Sequence, residues 1–121
     1  MNESDARRFE HMLRYARIGV NLIENETRDS LDNDIKLMLA LVKAVEIVGE
    51  AAGQISAETR VENSGLPWKA MIGMRHILVH EYFSIDLDIL WGTASIQLPS
   101  LVNELEKILP VDPPPHEPPV A

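Results

Sequence analysis

The sequence predicts an all-α protein, an antiparallel helical bundle of four to five helices joined by short connections. Three observations carry that reading. Apolar residues recur at three- and four-residue spacing along most of the chain. The apolar set is Leu, Ile, Val, Ala and Met, with only 5% aromatic residues, which suits helix packing. No stretch alternates apolar with polar as a half-buried strand does, and there are no internal repeats.

Residues 5–26 read as the first helix, with Phe9, Met12, Leu13, Ala16, Val20 and Ile23 on one stripe and Ser4 or Asp5 capping its start. Arg7, Arg8, Arg14 and Arg17 make this the densest basic run. Their plainest role is a solvated face paired with Glu3, Asp5 and Glu10; the alternative is a surface for RNA or an acidic partner. After a polar connection at Asn25–Asp29, one of Asp29, Ser30 and Asp32 is expected to cap a long second helix reaching about Glu58. Its apolar residues, from Leu31 to Ile55, occupy more than one stripe, so it should face neighbours on two sides, or a core and a second subunit. Gly49, Ala51, Ala52 and Gly53 leave room for another helix, and Glu46 and Glu50 flank Gly49, reading first as surface carboxylates.

Asn63-Ser64-Gly65 is a turn, and Pro67 suits a first helical position. The third helix then runs from about Pro67 to Tyr82 and is expected to be central. Ser84 is expected to cap the fourth, with Asp86 and Asp88 in its first turn. Its apolar face runs from Leu87 to Leu109, and Pro99 should kink or break it near Gln97. The division expected is a helical domain over 1–109 and a disordered tail over 110–121, where six of twelve residues are proline.

Composition narrows the function. With no cysteine there are no disulfides, thiolate metal sites or cysteine nucleophiles. No apolar run approaches the ~20 residues that span a bilayer, and the first residues lack a signal peptide's basic and apolar regions. A cytoplasmic protein with no membrane partner is the expectation. A net charge of −8 argues against loose nucleic-acid binding, though not against a local basic site.

The chemistry concentrates in Met74-Arg75-His76-Ile77-Leu78-Val79-His80-Glu81-Tyr82. An arginine, two histidines, a glutamate and a tyrosine are costly to desolvate in a helix that otherwise reads as buried. His76 and His80 share a face, whereas Arg75 and His80 diverge by about 140° at ~100° per residue. One site using both must wrap the helix edge, or the helix must loosen near His80. Read from residues alone, the histidine pair could ligate a metal with Glu46, Glu50 or Glu81 as third ligand, or serve as hydrogen-bonded core or capping groups. The metalloprotease pattern His-Glu-x-x-His is absent, since Ile77, Leu78 and Val79 stand between.

The string Arg75-x4-His80 with Tyr82 two residues on resembles the HEPN ribonuclease signature, and most closely the Arg-x4-His-x-Tyr pattern of its HepT-like toxin branch. The likeness extends to Ala44–Ala52, to Pro67–Met74, and to Leu90-Trp91 with Leu98–Leu101, covering about residues 5–109. One departure is His76, where asparagine is commoner. The resemblance implies a homodimer that cleaves RNA without a metal or other cofactor. Arg75 and His80 of both copies would line one cleft, with His76, Glu46 and Glu50 in support. It also implies a nucleotidyltransferase antitoxin as partner, which adds AMP to Tyr82. The rival readings are a HEPN-like module that has lost activity and docks a nucleotidyltransferase or nucleotide, and a metal enzyme using the two histidines. The dimer interface is expected to include the second and third helices.

Overall fold

The structure, a computed structural model, describes residues 1–80 and 85–109, with only the backbone described for residues 76–80. The expected tail, Tyr82 and Ser84 therefore lie outside the described residues. Every regular element among those described is helical: α1 (Glu3–Leu22), α2 (Ser30–Asn33), α3 (Ile35–Gly53), α4 (Ala57–Glu62), α5 (Trp68–His80), α6 (Leu87–Gly92) and α7 (Leu98–Ile108). A π-helical turn, Thr93–Gln97, joins the last two into one arm. The all-α expectation holds, with α1, α3, α5 and the α6–α7 arm as the four principal members.

The apolar stripes read from sequence form the core. Phe9, Met12, Leu13 and Ala16 of α1 are buried against Leu41, Val45, Val48 and Ala52 of α3, with Met71 of α5 and Leu98, Leu101 and Leu105 of α7. The hub is α3, correcting the expectation that the third predicted helix is central: α3 packs on α1, α2, α5 and the π turn, whereas α5 packs chiefly on α3. Phe9 meets Trp68 edge-on at 6.0 Å between ring centroids. The Trp68 indole N–H donates to the Asn63 carbonyl at 2.9 Å, and Arg60 sits over the same ring, so the start of α5 is pinned.

Four local expectations are corrected. Asn2, not Ser4 or Asp5, caps α1, its side chain accepting from the Asp5 N–H at 2.7 Å. The long second helix is interrupted twice. Asp34 adopts extended geometry (φ −135°, ψ 96°) and caps α3, leaving Ser30–Asn33 as a separate turn. At the other end Ser56 is extended and caps α4 through the Thr59 N–H. Finally, Asp86 caps α6 by accepting from the Asp88 and Ile89 N–H groups, so the fourth predicted helix begins after the position expected from Ser84. Pro99 falls in the first turn of α7, directly after the π turn. The interruption expected near Gln97 is taken up by the π turn.

Asp5 explains the second interruption. It is 2% exposed, and its carboxylate accepts from the Ser56 hydroxyl and the Thr59 hydroxyl, each at 2.6 Å, and from the Ser56 N–H at 3.1 Å. A buried carboxylate is tolerated only when its lone pairs are occupied in this way. The Ser56 hydroxyl bond foremost, with Thr59 and then Arg8, holds the Asp5 carboxyl below its ordinary value of 3.8, against the opposing effect of burial.

A depressed pKa in the folded state makes this anchor fully effective above the ordinary value of 3.8 and weakens it as pH falls through the lower folded value. The melting temperature of the wild type should therefore drop more steeply below about pH 4 than that of Asp5→Asn, which should be less stable at neutral pH. Parallel melting-temperature curves for the two proteins would show that Asp5 does not carry the acid sensitivity.

Candidate functional site

The local chemistry of α5 begins at Gly49 of α3. A Cβ at this position would lie 2.7 Å from the Arg75 backbone nitrogen, 2.8 Å from the Met71 carbonyl oxygen and 2.9 Å from the Arg75 Cβ. Two of those three atoms are backbone, so they could not yield without moving α5. Glycine here lets the two helices cross in direct contact, and the crossing point is Arg75 itself. The expectation that the small residues of α3 admit another helix holds at Gly49; at Gly53 the same test finds nothing within 4 Å.

Arg75 itself is exposed, and its guanidinium forms no hydrogen bond or ion pair among the described residues. Its backbone is seated while its charge is available. The helix continues without interruption through His80. The backbone positions 75 and 80 therefore keep their separation of about 140°, and loosening of the helix does not bring them together. Positions 76 and 80 share a face with 69 and 73, at i, i+4, i+7 and i+11. The side chains of His76 and His80 lie outside the described residues, as does Tyr82.

Glu46 and Glu50 sit on either side of the crossing. Glu46 is half-buried and takes the Lys43 ammonium at 3.1 Å, one turn back on the same helix. Glu50 is exposed and borders a cleft of about 290 Å³ between α1 and α3, whose other polar walls are Ser4, Arg7, Arg8, His11 and Gln54. The described residues hold no group of three or more histidine, aspartate or glutamate side chains placed around a metal.

The basic run on α1 is arranged differently from the expected pairing. Arg7, Arg8 and Arg14 form no ion pair with Glu3, Asp5 or Glu10 among the described residues. Arg8 instead donates from Nε to the Gln54 side-chain oxygen at 3.0 Å and from a terminal nitrogen to the Ser4 hydroxyl. Of the four α1 arginines, Arg17 takes a carboxylate, Glu106 of α7, at 2.6 Å. His11 was not singled out by sequence reasoning; its spacing from Arg7 and Arg14, four and three residues, is the signal that places the three on one stripe. A second, larger groove of about 710 Å³ is lined mainly by apolar residues of α5, α6 and the π turn, among them Trp68, Met74, Ile89 and Leu90.

Against known proteins, residues 10–108 match the family model described as "Ribonuclease HepT-like". A "Putative RNase" of Caldanaerobacter subterraneus subsp. tengcongensis is 33% identical over 100 residues, covering 83% of this chain and 89% of that protein. A "Probable ribonuclease HepT" of Thermococcus cleftensis is 36% identical over 94 residues, covering 74% and 86%. A "Putative RNase" of Methanocaldococcus jannaschii is 32% identical over 98 residues, covering 81% of each. No solved structure matches significantly. No helix among the described residues is long and apolar enough to cross a membrane.

Gly49→Ala should force α5 away from α3 and cost roughly 1–3 kcal/mol, as overpacking does when the obstructing atoms are backbone. Gly53→Ala, in open space at the end of the same helix, should be neutral or stabilising by up to about 1 kcal/mol. Urea denaturation of the two variants checks this; equal stabilities would mean that the α3–α5 crossing has slack.

Proposed function

Since the chain belongs to the HepT-like ribonuclease family, we propose that it is a metal-independent endoribonuclease in which Arg75 and His80 act on the RNA phosphate. The observation that carries the reading is an exposed guanidinium at Arg75, without a partner among the described residues. It is seated by direct helix contact five residues before His80 on an unbroken helix. RNA supplies its own nucleophile. The 2′-oxygen attacks phosphorus as its proton passes to a base, and the bond to the 5′-oxygen breaks as an acid protonates that oxygen. The products are a 2′,3′-cyclic phosphate and a 5′-hydroxyl. A histidine titrates near neutrality and can serve as base or acid, while a guanidinium forks onto the phosphorane oxygens and keeps its charge throughout. His76 is proposed to orient the phosphate or share the proton transfer, and Glu46 and Glu50 to support the surface around it.

The active unit is proposed to be a homodimer. Positions diverging by about 140° on one straight helix do not converge on a single phosphate unaided, whereas Arg75 of one copy can face His80 of another across an interface. Ile35 and Leu39 of α3, 68% and 56% exposed, supply apolar surface on the outer side of the hub helix for such an interface. We further propose that the chain is the toxin of a toxin–antitoxin pair, silenced when a nucleotidyltransferase partner attaches AMP to Tyr82. The added anionic phosphate, two residues from His80, would repel the RNA backbone.

His80→Ala should lower RNA cleavage by about 10²–10⁴-fold with the fold intact by circular dichroism, the usual range for removal of a proton-transfer group. Arg75→Ala should act likewise, and Arg75→Lys should restore little because the fork is lost. His76→Asn should retain substantial activity. Cleavage should persist in EDTA and leave a cyclic phosphate. Inhibition by chelation that zinc reverses would overturn the mechanism in favour of a paired-histidine metal site, and undiminished cleavage by folded His80→Ala would remove the motif from the chemistry.

A further inference from the structure

We propose that the cleft between α1 and α3 is a phosphate-binding subsite that holds the RNA strand away from the scissile bond, with Arg7 and Arg8 as its ligands and His11 at its rim. The inference rests on the ribonuclease reading for the identity of the polyanion, and on the cleft's own geometry for the rest.

The cations here are neither scattered nor neutralised. Arg7, Arg8 and His11 line one cleft of about 290 Å³, at the small end for a ligand site. In a chain of net charge −8, a lone surface arginine has carboxylates to pair with. Arg17, Arg28, Lys43 and Lys107 do so, with Glu106, Asp32 and Asp88, Glu46, and Glu104. Arg7, Arg8 and Arg14 do not, among the described residues, and neither do Lys36, Arg60, Lys69 and Arg75; what sets Arg7 and Arg8 apart is that they share one cleft. Asp5 lies on the same helix, but its carboxylate is turned inward and occupied by Ser56 and Thr59. Among the described residues, the one carboxylate in the cleft wall is Glu50, so two permanent positive charges face one negative. That is a local reversal of the protein's sign.

Arg8 is also held in place before any ligand arrives. Its Nε donates to Gln54 and a terminal nitrogen to Ser4, which fixes the plane of the guanidinium. A side chain already ordered loses less entropy on binding, about 0.5–1.5 kcal/mol per rotamer-rich side chain otherwise. Its hydrogen-bond partners are neutral, and the Asp5 carboxylate acts on it through space without forming an ion pair. Arginine suits phosphate oxygens through its fork, and cationic grooves that track a backbone are how single strands are held without sequence readout.

Position connects the cleft to the chemistry. Glu50 in its wall is the chain neighbour of Gly49, over which α5 sets Arg75. Arg75, on α5, and the cleft, against α1, thus lie on different sides of α3, whose packed neighbours sit ~8–10 Å away axis to axis. A strand whose scissile phosphate sits at Arg75 reaches the cleft with a phosphate a few nucleotides away. An acidic protein is less favoured as occupant, because the apolar side chains in the wall are Ile47 and Ala51, too little for a protein interface core.

The test measures binding of the full-length protein to a single-stranded oligonucleotide with 2′-O-methyl riboses, which cannot be cleaved, as a function of salt. Arg7→Ala combined with Arg8→Ala should weaken binding by tenfold or more at ~0.1 M salt. It should also shallow the log–log salt slope by about 0.7 for each phosphate of the single strand that is no longer neutralised. Arg7→Lys, keeping the charge, should restore most of the affinity, and Lys107→Ala on α7 removes the same charge elsewhere and should change neither quantity. Wild-type affinity and slope in the folded double variant would overturn the subsite while leaving the nuclease reading intact. Polyglutamate binding as tightly as the oligonucleotide, and abolished in the same variants, would overturn RNA in favour of an acidic protein. If the wild type cuts no RNA yet binds the oligonucleotide through Arg7 and Arg8, the subsite stands and the nuclease reading falls.

Discussion

A hydrogen atom in place of a methyl group at position 49 decides how the rest of this molecule is arranged. With no Cβ there, α3 and α5 touch backbone to backbone at Met71 and Arg75. That contact sets the height of α5 above the hub helix, and with it the face on which Arg75 emerges. The apolar packing beneath, from Met71 to Val45 and Val48, stabilises the pair through burial, worth roughly 1.5–3 kcal/mol for each such side chain. Burial has no direction, however. The close crossing does, because only one register places the glycine under the helix backbone.

Charge is distributed by a similar division of labour. Two surface ion pairs join elements, α1 to α7 through Arg17 and Glu106 and the segment before α2 to α6 through Arg28 and Asp88. The pairs Arg28–Asp32, Lys43–Glu46 and Lys107–Glu104 are local. Exposed pairs of this kind contribute little each, ~0–1 kcal/mol, so their value lies in keeping an acidic chain's charge evenly balanced. Against that background the α1–α3 cleft stands out, since Arg8 in its wall bonds to a serine and a glutamine. A guanidinium satisfied by neutral groups is held without being cancelled.

Much of this is legible in the chain, and the exceptions share a cause. The helical stripes, the Gly49 neighbourhood and the Arg75–His80 motif all follow from local spacing. The break at Asp34 is hidden because Asp29, Ser30, Asp32 and Asp34 are all capable caps within six positions, and the choice among them is made by the chain's tertiary setting. Ser56 carries no glycine or proline signal; it caps α4 while held by Asp5, 51 residues earlier. Asp5 in turn has the spacing of a local cap and is a long-range acceptor. Arg8 has the spacing of half a neighbouring ion pair, yet its partner Gln54 is 46 residues away. Spacing reports what a helix can do alone, and these residues act between helices. The motif is a partial exception of another kind. Its residue types name a chemistry, while the unbroken helix through His80 leaves the two backbone positions diverging by about 140°.

The position of α1 bears on how the chain reaches this state. Its contacts span a wide range of separations. It packs along α3, the next long helix, reaches the α3–α4 junction about 50 residues on, and meets Glu106 through Arg17, 89 residues on. The pairs α1–α3 and α3–α5 are each separated only by a short helix, α2 or α4, and short turns. Closing a loop of 89 residues rather than one of half that length costs only about 0.6 kcal/mol more in chain entropy. The long closure is therefore tolerable at equilibrium, but it is disfavoured early, when few contacts have formed to offset it. The α1–α3 and α3–α5 pairs both close over short stretches of chain, whereas docking of α1 onto α7 requires the long closure. The buried α1 face of Phe9, Met12, Leu13 and Ala16 has α3 to pack on well before synthesis delivers α7 near the end of the domain.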